Sequence, residues 1–288
     1  MSNVRGQGSA ILLQTTADAS GKSGEAGGNA QRRLRAVVWH LAPWLLPAAL
    51  FTLWSVGCAR GWIAPQILPP PQQVSDTLRD LATSGDLAHN TLISLQRVLV
   101  GFGIGTIAGV AIGAALGLSR TVEAYLLPSF NAVVQIPVLG WLPFLLLLVG
   151  VGEPLKYILI AHAALVPVTL STMQGVRDTP AALDEVARVF GYGRWQRIVH
   201  VVLPAAIPTL ATGVRLAFTK AWLALVVVEL VASSEGLGYL IVYGRQLFQL
   251  DLVMASVVIV GAIGFAINRL LDALEARLRR GQPSAFRE

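Results

Sequence analysis

Six apolar stretches, separated by short polar connections, run through most of the chain. They lie at 37–58, 91–118, 124–149, 155–175, 205–232 and 252–272. About 20 helical residues cross the roughly 30 Å of hydrocarbon in a bilayer, so each stretch is long enough for one span. None alternates polar and apolar residues as a barrel strand does, which leaves helices as the spanning form. The pattern predicts an all-α integral membrane protein with six transmembrane helices.

The composition supports a membrane protein and excludes an ordinary soluble domain. Charged residues make up 13% of the 288 residues and hydrophobic residues 54%, whereas a typical globular protein has about 25% charged residues. Residues 1–30 are rich in Gly, Ser, Ala and Asn, and their apolar patch at 11–13 is too short for a signal-peptide core of about 7–15 residues. We expect a disordered cytoplasmic tail at 1–30 and a transmembrane domain at 31–288.

The distribution of Lys and Arg predicts the orientation. With a cytoplasmic N-terminus, the inner segments hold fifteen of these residues and the outer segments four. Positive residues concentrate on the cytoplasmic side of membrane proteins, so both termini are expected there. The same bias explains the sequence pI of about 10 without a nucleic-acid partner.

No pattern in the sequence indicates an enzyme. There is one cysteine, Cys58, and the four histidines are scattered without metal-ligand spacing. A phosphate-binding loop of the form GxxxxGK[ST] is also missing from the sequence. We therefore expect no catalytic residues, no metal site and no cofactor in this chain.

The long connection at 176–204 is predicted to be a cytoplasmic loop with a short helix. Thr179 is suited to cap that helix, Pro180 to occupy its first position and Gly191 to end it. A second amphipathic segment, 194–203, is expected to end at Pro204. A short helix held against the membrane by two spans is typical of a docking element, although a helical surface loop is the simpler alternative.

This loop also carries a recognisable motif. Glu185-Val186-Ala187 is followed by Gly191 and, further on, by Leu203-Pro204. The order resembles the EAA loop of permease subunits from binding-protein-dependent ABC importers, with Val186 in place of the usual first alanine. Other segments resemble the sulfonate, taurine, nitrate and bicarbonate branch of that family: 68–74, 94–98, 101–102, 117–120, 137–143, 150–153, 212–215, 221–222, 229 and 236–238.

The resemblance implies a type I ABC importer permease fold in which the loop forms a coupling helix, seated in a cleft of the ATPase subunit. The ATPase-coupling residues would be Glu185, Val186, Ala187, Arg188, Gly191, Leu203 and Pro204. The implied partners are a dimer of ATPase subunits that use ATP and Mg, a second copy of the permease, and a periplasmic or lipid-anchored solute-binding protein. The implied location is the bacterial inner membrane.

The resemblance further implies import of a small anionic solute. An organic sulfonate such as taurine or an alkanesulfonate is the first choice, and nitrate, bicarbonate or an aromatic acid is the alternative. An ion-gradient-driven secondary transporter is the alternative from another class. It predicts inverted repeats and several intramembrane carboxylates, of which Glu229 alone is evident in the sequence.

The translocation pathway candidates are charged residues and prolines inside the predicted spans: Arg97, Lys220, Glu229, Arg215, Pro137 and Pro143. A charge at mid-bilayer costs about 2.5–3.5 kcal/mol on insertion scales, so each needs a partner or water.

Two interpretations stay open for Arg97 with Glu229 and for Pro137 with Pro143. Arg97 and Glu229 lie at similar depth and either form an ion pair or meet the anionic head of the solute. Lys220 is expected to face a watery cavity. Pro137 and Pro143 are expected to bend the third span, either to line the pathway or for packing alone.

A glycine recurs at every fourth residue in the second span. The positions are Gly101, Gly105, Gly109, Gly113 and Gly117. This spacing places them on one helix face, where a neighbouring backbone can approach closely. Tight packing in the bundle is the expected role, and a sliding surface is the alternative.

Overall fold

The computed structural model describes residues 45–279, and within that range the chain forms helices and connecting segments without a β-strand. The helices, in chain order, are α1 Leu45–Ala59, α2 Pro71–Ser84, α3 Asp86–Leu118, α4 Arg120–Val134, α5 Leu142–Val149, α6 Glu153–Arg177, α7 Ala181–Val189, α8 Arg194–Arg197, α9 Leu203–Ala232, α10 Leu237–Gln246 and α11 Leu250–Arg279. The predicted tail at 1–30 lies outside the described residues.

Four helical stretches in this range are long and apolar enough to cross a membrane, namely α3, α6, the stretch containing α9, and α11. A fifth candidate is the pair 120–134 and 138–149, which is bent by 86°. The predicted first span, 37–58, begins outside the described residues, and its described part is the shorter apolar helix α1. The predicted all-helical membrane fold is confirmed.

The chain divides at Pro71 into two compact units. In the described part of the first unit, the Trp54 Nε1 donates a hydrogen bond to the Pro69 carbonyl at 3.1 Å, and Phe51 packs edge-on against Trp54. The second unit, from Gln72 onward, is built around α6, which packs extensively against both α3 and α9. It holds all of the candidate functional residues.

The repeated glycines bring α3 against α6 at backbone distance. A β-carbon added at Gly101 would lie 2.7 Å from the Ile160 β-carbon, and one added at Gly109 would lie 2.9 Å from the Leu165 carbonyl oxygen. Both separations are shorter than van der Waals contact, so only glycine fits without displacing α6. The predicted tight packing is confirmed, and the sliding surface stays a prediction.

The third predicted span is broken at its prolines. α4 ends at Val134, Pro137 precedes a 3₁₀ turn at Val138–Trp141, and Pro143 lies in the first turn of α5. Proline lacks a backbone N–H and prevents the helix from continuing through these positions. The predicted bend is confirmed, and at 86° it is nearly a right angle.

The predicted end of the amphipathic segment at Pro204 is wrong. α8 continues through a π-helical turn, Ile198–Val202, directly into α9, with Pro204 in the first turn of α9. A π-helical turn shifts the hydrogen-bond register and can absorb a residue that lacks an N–H donor. The helix therefore passes through the proline, and the cytoplasmic loop is joined to α9 by continuous helix.

Candidate functional site

The short helix α7 begins one residue later than predicted. Pro180 occupies the N-cap position and the helix starts at Ala181, without a side-chain cap. The predicted capping role of Thr179 is wrong, because its Oγ1 donates instead to the Gly175 carbonyl at the end of α6. Thr179 therefore hydrogen-bonds to the end of α6 and not to the start of α7.

The end of α7 agrees with the sequence. Gly191 has φ +75°, the left-handed region that favours glycine. Its N–H donates to the Arg188 carbonyl, and the Tyr192 N–H donates to the Ala187 carbonyl, both at 3.0 Å. This pair of bonds is the Schellman motif, which satisfies the last carbonyls of a helix and turns the chain sharply.

One side of α7 and the turn after it expose apolar side chains. Val186 is 53% exposed, Val189 86% and Phe190 76%. Trp195, on α8, is 74% exposed. We call these four residues the coupling surface. Such a cluster of exposed apolar side chains is typical of a protein interaction site.

The predicted coupling residues divide into exposed and buried positions on α7. Glu185 and Arg188 are exposed, whereas Ala187 is only 5% exposed. α7 contacts the π-helical turn at 198–202, and a small residue at position 187 suits that close approach. Leu203 and Pro204 lie where this turn enters α9.

Asp184 links α7 to α8, the short helix that leads into α9. Its carboxylate forms an ion pair with Arg188 one turn later at 2.7 Å and with Arg197 of α8 at 2.8 Å. Desolvation acts to raise the pKa of the Asp184 carboxyl, but hydrogen bonds from Arg188 and Arg197 lower it more, so its pKa lies below the ordinary value. The charged pair therefore persists at neutral pH and links α7 to α8.

A buried ionic group lies at the end of α9 opposite α7. Arg97 on α3 contacts the Glu229 carboxylate on α9 at 2.8 Å and the Glu153 carboxylate at the start of α6 at 2.6 Å. Lys156 contacts Glu153 at 2.8 Å and is itself buried. Of the two alternatives for Arg97 and Glu229, the structure shows the ion pair.

Polar groups around this ion pair complete the Arg97 cluster, defined as Asn90, Ser94, Arg97, Glu153, Lys156 and Glu229. The Ser94 hydroxyl donates to Glu229 at 2.9 Å and accepts from the Leu237 N–H at 2.9 Å. Asn90 Oδ1 accepts from the Gly236 N–H, and Glu229 accepts from the Gly238 N–H. The cluster thus joins α3, α6 and α9 to the first turn of α10.

Arg215 is also paired within the chain. It forms ion pairs with Asp272 and, at 3.0 Å, with Glu275, both on α11. The positive charge of Arg215 on α9 is therefore balanced by two carboxylates on α11, as the cost of placing a cation in a span requires. Its predicted role in the pathway stays a prediction.

Lys220 has different surroundings. It lines a cavity of about 510 Å³ bounded by α6, α9 and the segment 134–139, together with Pro137, His162 and Ser171. In the described part of the chain, no carboxylate lies within ion-pair distance of Lys220. The structure therefore places Lys220 and Pro137 in one cavity, separate from Arg97, Glu229 and Arg215. Pro143 is not among the residues that line it.

Sequence reasoning missed several partners of the charged residues. Glu153, Asp272 and Glu275 were not expected to balance Arg97 and Arg215. Ser94 and Glu153 do lie within the segments that resemble the importer family, and that was the available signal. Asp272 and Glu275, spaced by three residues on one face of α11, could have been recognised as partners for a cation in a neighbouring span.

Comparison with known proteins identifies the family. A family model described as "Binding-protein-dependent transport system inner membrane component" matches residues 101–280. The chain is 38% identical to the SsuC permease protein of Bacillus subtilis, whose name assigns it to aliphatic sulfonate transport, over 83% of this chain and 87% of that protein. It is 33% identical to the taurine transport system permease protein TauC of Escherichia coli, over 80% of this chain and 86% of that protein.

A third relative and a solved structure agree with this result. The bicarbonate transport system permease protein CmpB of Synechococcus elongatus is 34% identical over 67% of this chain and 70% of its own. A chain from an inward-facing structure of the MetNI methionine ABC transporter matches with a TM-score of 0.58 and 19% identity, over 68% of this chain and 98% of that chain. The match shows the same fold. The chain belongs to the family of inner membrane components of binding-protein-dependent transport systems, as a multi-pass permease with the type I ABC importer fold.

Proposed function

We propose that this chain is the non-catalytic permease subunit of an ATP-driven importer that moves a small anionic solute across the bacterial inner membrane. One observation supports coupling to an ATPase. It is the coupling surface, where apolar side chains are exposed beside the Gly191 turn, namely those of Val186, Val189, Phe190 and Trp195. A membrane subunit that hydrolyses no ATP needs such a surface to receive an ATPase.

The proposed mechanism passes motion from α7 into α9. Two ATPase subunits, which bind ATP and Mg, would close and push on α7 of two permease copies. The ion pair between Asp184 and Arg197 would transmit this displacement to α8. Because α8 runs through Leu203 and Pro204 into α9 without a break, α9 would move with it and open the pathway to the other side.

Within this scheme the motif residues have distinct roles. Glu185 is exposed and offers a charged contact to the ATPase. Ala187 permits the close approach of α7 to the following turn, and Gly191 supplies the sharp reversal that keeps the helix short. Val186 adds apolar contact area.

The nature of the solute is inferred from the relatives and from Lys220. The relatives carry names for aliphatic sulfonate, taurine and bicarbonate transport, and all three solutes carry an anionic group. Lys220 places a cation in a cavity between spans. We propose an organic sulfonate as the solute, with nitrate, bicarbonate or an aromatic acid as the alternative. A periplasmic or lipid-anchored binding protein would deliver it.

The secondary-transporter alternative has less support. It requires an intramembrane carboxylate that can bind and release an ion, and Glu229 is the sequence candidate. In the structure, Glu229 is already held by Arg97, Ser94 and the Gly238 N–H. With both termini in the cytoplasm, as the charge distribution predicts, α7 lies on the side where ATP is available.

Co-purification tests the proposal. The full chain is tagged in its native membrane, solubilised gently, and its partners are identified by mass spectrometry. An ATPase should accompany the wild type and be lost from Glu185→Ala and from Gly191→Pro, because proline fixes φ near −65° where the turn needs +75°. A chain that purifies alone and transports solute into liposomes without ATP would support the secondary transporter instead.

A further inference from the structure

The end of α6 is tied closely to the connection that leads into α7. α6 ends at Arg177, and three residues connect it to α7. Within this connection, the Asp178 carboxylate accepts a hydrogen bond from the Gln174 side chain at 2.9 Å, and the Thr179 hydroxyl donates to the Gly175 carbonyl. A displacement of α7 would therefore reach the last turn of α6.

Arg177 also forms an ion pair with the start of α4. Its guanidinium contacts the Glu123 carboxylate in the first turn of α4. The same guanidinium donates a hydrogen bond to the Leu116 carbonyl near the end of α3 at 3.4 Å. One side chain at the end of α6 thus contacts both α3 and α4, on either side of the junction between them.

The ion pair gives α4 a second attachment to the bundle. At Ser119 the backbone leaves the helical conformation, with φ −133° and ψ 113°, and this residue separates α3 from α4. None of the 15 residues of α4 is buried in the described structure, so side-chain packing does little to fix its direction. A helix attached at one point can pivot there, whereas the contact of Glu123 with α6, one turn after Ser119, fixes the direction of α4.

The far end of α4 forms part of the wall of the cavity beside Lys220. α4 has 15 residues and is therefore about 22 Å long. Val134, at its end, lines the cavity together with Ile136 and Pro137. The break at Pro137 separates this wall from the following turn and α5, which pack against the buried core of α6 and α9. The end of α4 can therefore move while α5 stays in place.

We propose that the ion pair between Glu123 and Arg177 is a second coupling contact, which makes α4 move with the end of α6 and so moves the wall of the cavity beside Lys220. The inference rests on the proposed importer function and adds two positioning residues to it, separate from the route through Asp184 and α9. The side chains of Arg177 and Glu123 are 35% and 28% exposed. Such an ion pair contributes little to folding, so its loss affects coupling more than stability.

The accessibility of the cavity wall measures this movement. Cys58→Ser removes the one cysteine of the chain, and Ile136→Cys places a thiol on the wall; this double variant is the parent. The full chain is purified with its ATPase and placed in lipid nanodiscs. The reagent is 2-sulfonatoethyl methanethiosulfonate, which is charged and reacts where water reaches the thiol. Its rate of reaction with the permease chain is followed by intact-mass spectrometry, without nucleotide and with ATP plus orthovanadate.

We expect the two rates to differ by about tenfold in the parent, the ratio reached when the open form changes from about a tenth of the molecules to nearly all of them. Glu123→Gln and Arg177→Gln should lose most of this difference, yet keep the ATPase and the unfolding midpoint of the parent. Arg177→Lys preserves the charge and should retain the difference. Arg120→Gln, which removes an exposed cation from the same end of α4, is the matched control and should behave as the parent does.

Three results would overturn the inference. They are equal rates in the parent under the two conditions, a difference as large as the parent's in Glu123→Gln or Arg177→Gln, and an equal loss in Arg120→Gln or Arg177→Lys. ATPase co-purification is recorded on the same preparations. If no ATPase accompanies the wild-type chain, the importer function is refuted and this inference with it. If the ATPase is retained and Glu123→Gln has no effect, the inference alone is refuted.

Discussion

The Arg97 guanidinium on α3 and the Glu229 carboxylate on α9 form an ion pair of 2.8 Å, and their side chains are 4% and 0% exposed. Arg97 also holds Glu153 of α6 at 2.6 Å. One residue therefore connects three spans, at the end of α9 opposite the coupling surface. Removal of Arg97 would leave the buried Glu229 carboxylate without its cation, whereas removal of Glu229 would leave Arg97 paired with Glu153.

Loss of either partner should destabilise the bundle. We expect Arg97→Met to lower the free energy of unfolding by about 3–5 kcal/mol, because the buried Glu229 carboxylate is left without its cation. Glu229→Gln should lower it by less, because Arg97 keeps its ion pair with Glu153. The thermal unfolding midpoint of the detergent-purified chain measures this loss. The double variant should be more stable than the sum of the two single effects predicts.

Arg269→Gln is the control for this prediction, since Arg269 is exposed and stacks on Phe265. It should unfold within a few degrees of the wild type. If Arg97→Met and Glu229→Gln do the same, the ion pair does not support the bundle.

The contact between α3 and α6 should tolerate no added side chain at the repeated glycines. At Gly109, a β-carbon would lie 2.9 Å from the Leu165 carbonyl oxygen and from the Val168 β-carbon. We expect Gly109→Ala to cost about 1–3 kcal/mol through overpacking, seen as a lower unfolding midpoint.

Gly103 on the same helix provides a matched control. Nothing lies within 4 Å of a β-carbon added there. Alanine is the better helix former by up to about 1 kcal/mol, so Gly103→Ala should leave the midpoint unchanged or raise it. Equal effects of Gly103→Ala and Gly109→Ala would show that the helices are not in close contact.

Separation of α7 from α8 should affect coupling more than stability. Asp184→Asn removes the charge that holds Arg188 and Arg197. These groups are exposed or partly exposed, and ion pairs in contact with solvent contribute little to folding. We therefore expect an unchanged unfolding midpoint and a reduced rate of ATP-driven uptake in proteoliposomes. A wild-type uptake rate would show that motion reaches α9 by another route.

The helical fold and the coupling loop could be predicted from the sequence because each rests on local patterns. Length and apolarity indicate spans, and the positive φ at Gly191 follows from the preference of helix ends for glycine. Thr179 and Pro204 were misjudged for a local reason as well. Thr179 can bond either to the preceding helix or to the following one, and a π-helical turn lets a helix pass through a proline.

The partners of the charged residues could not be predicted in the same way. Arg97 meets Glu153 across 56 residues of sequence and Glu229 across 132, and nothing local specifies such pairings. The Lys220 cavity is likewise formed by α6, α9 and the broken span together. These features depend on how the helices pack, which the sequence pattern of a single span does not encode.

The most direct test of the central claim compares two exposed phenylalanines that flank opposite ends of the helical stretch Arg194–Gln246. Phe190 belongs to the coupling surface and is 76% exposed, whereas Phe248, in the connection between α10 and α11, is 91% exposed. Neither substitution to aspartate should disturb the fold.

ATP-driven uptake and ATPase co-purification are measured for Phe190→Asp and Phe248→Asp. The account predicts that Phe190→Asp loses the ATPase and ATP-driven uptake, because a charge is placed at the centre of the apolar contact, while Phe248→Asp keeps the ATPase. Retention of the ATPase and of wild-type uptake by Phe190→Asp would contradict coupling through α7.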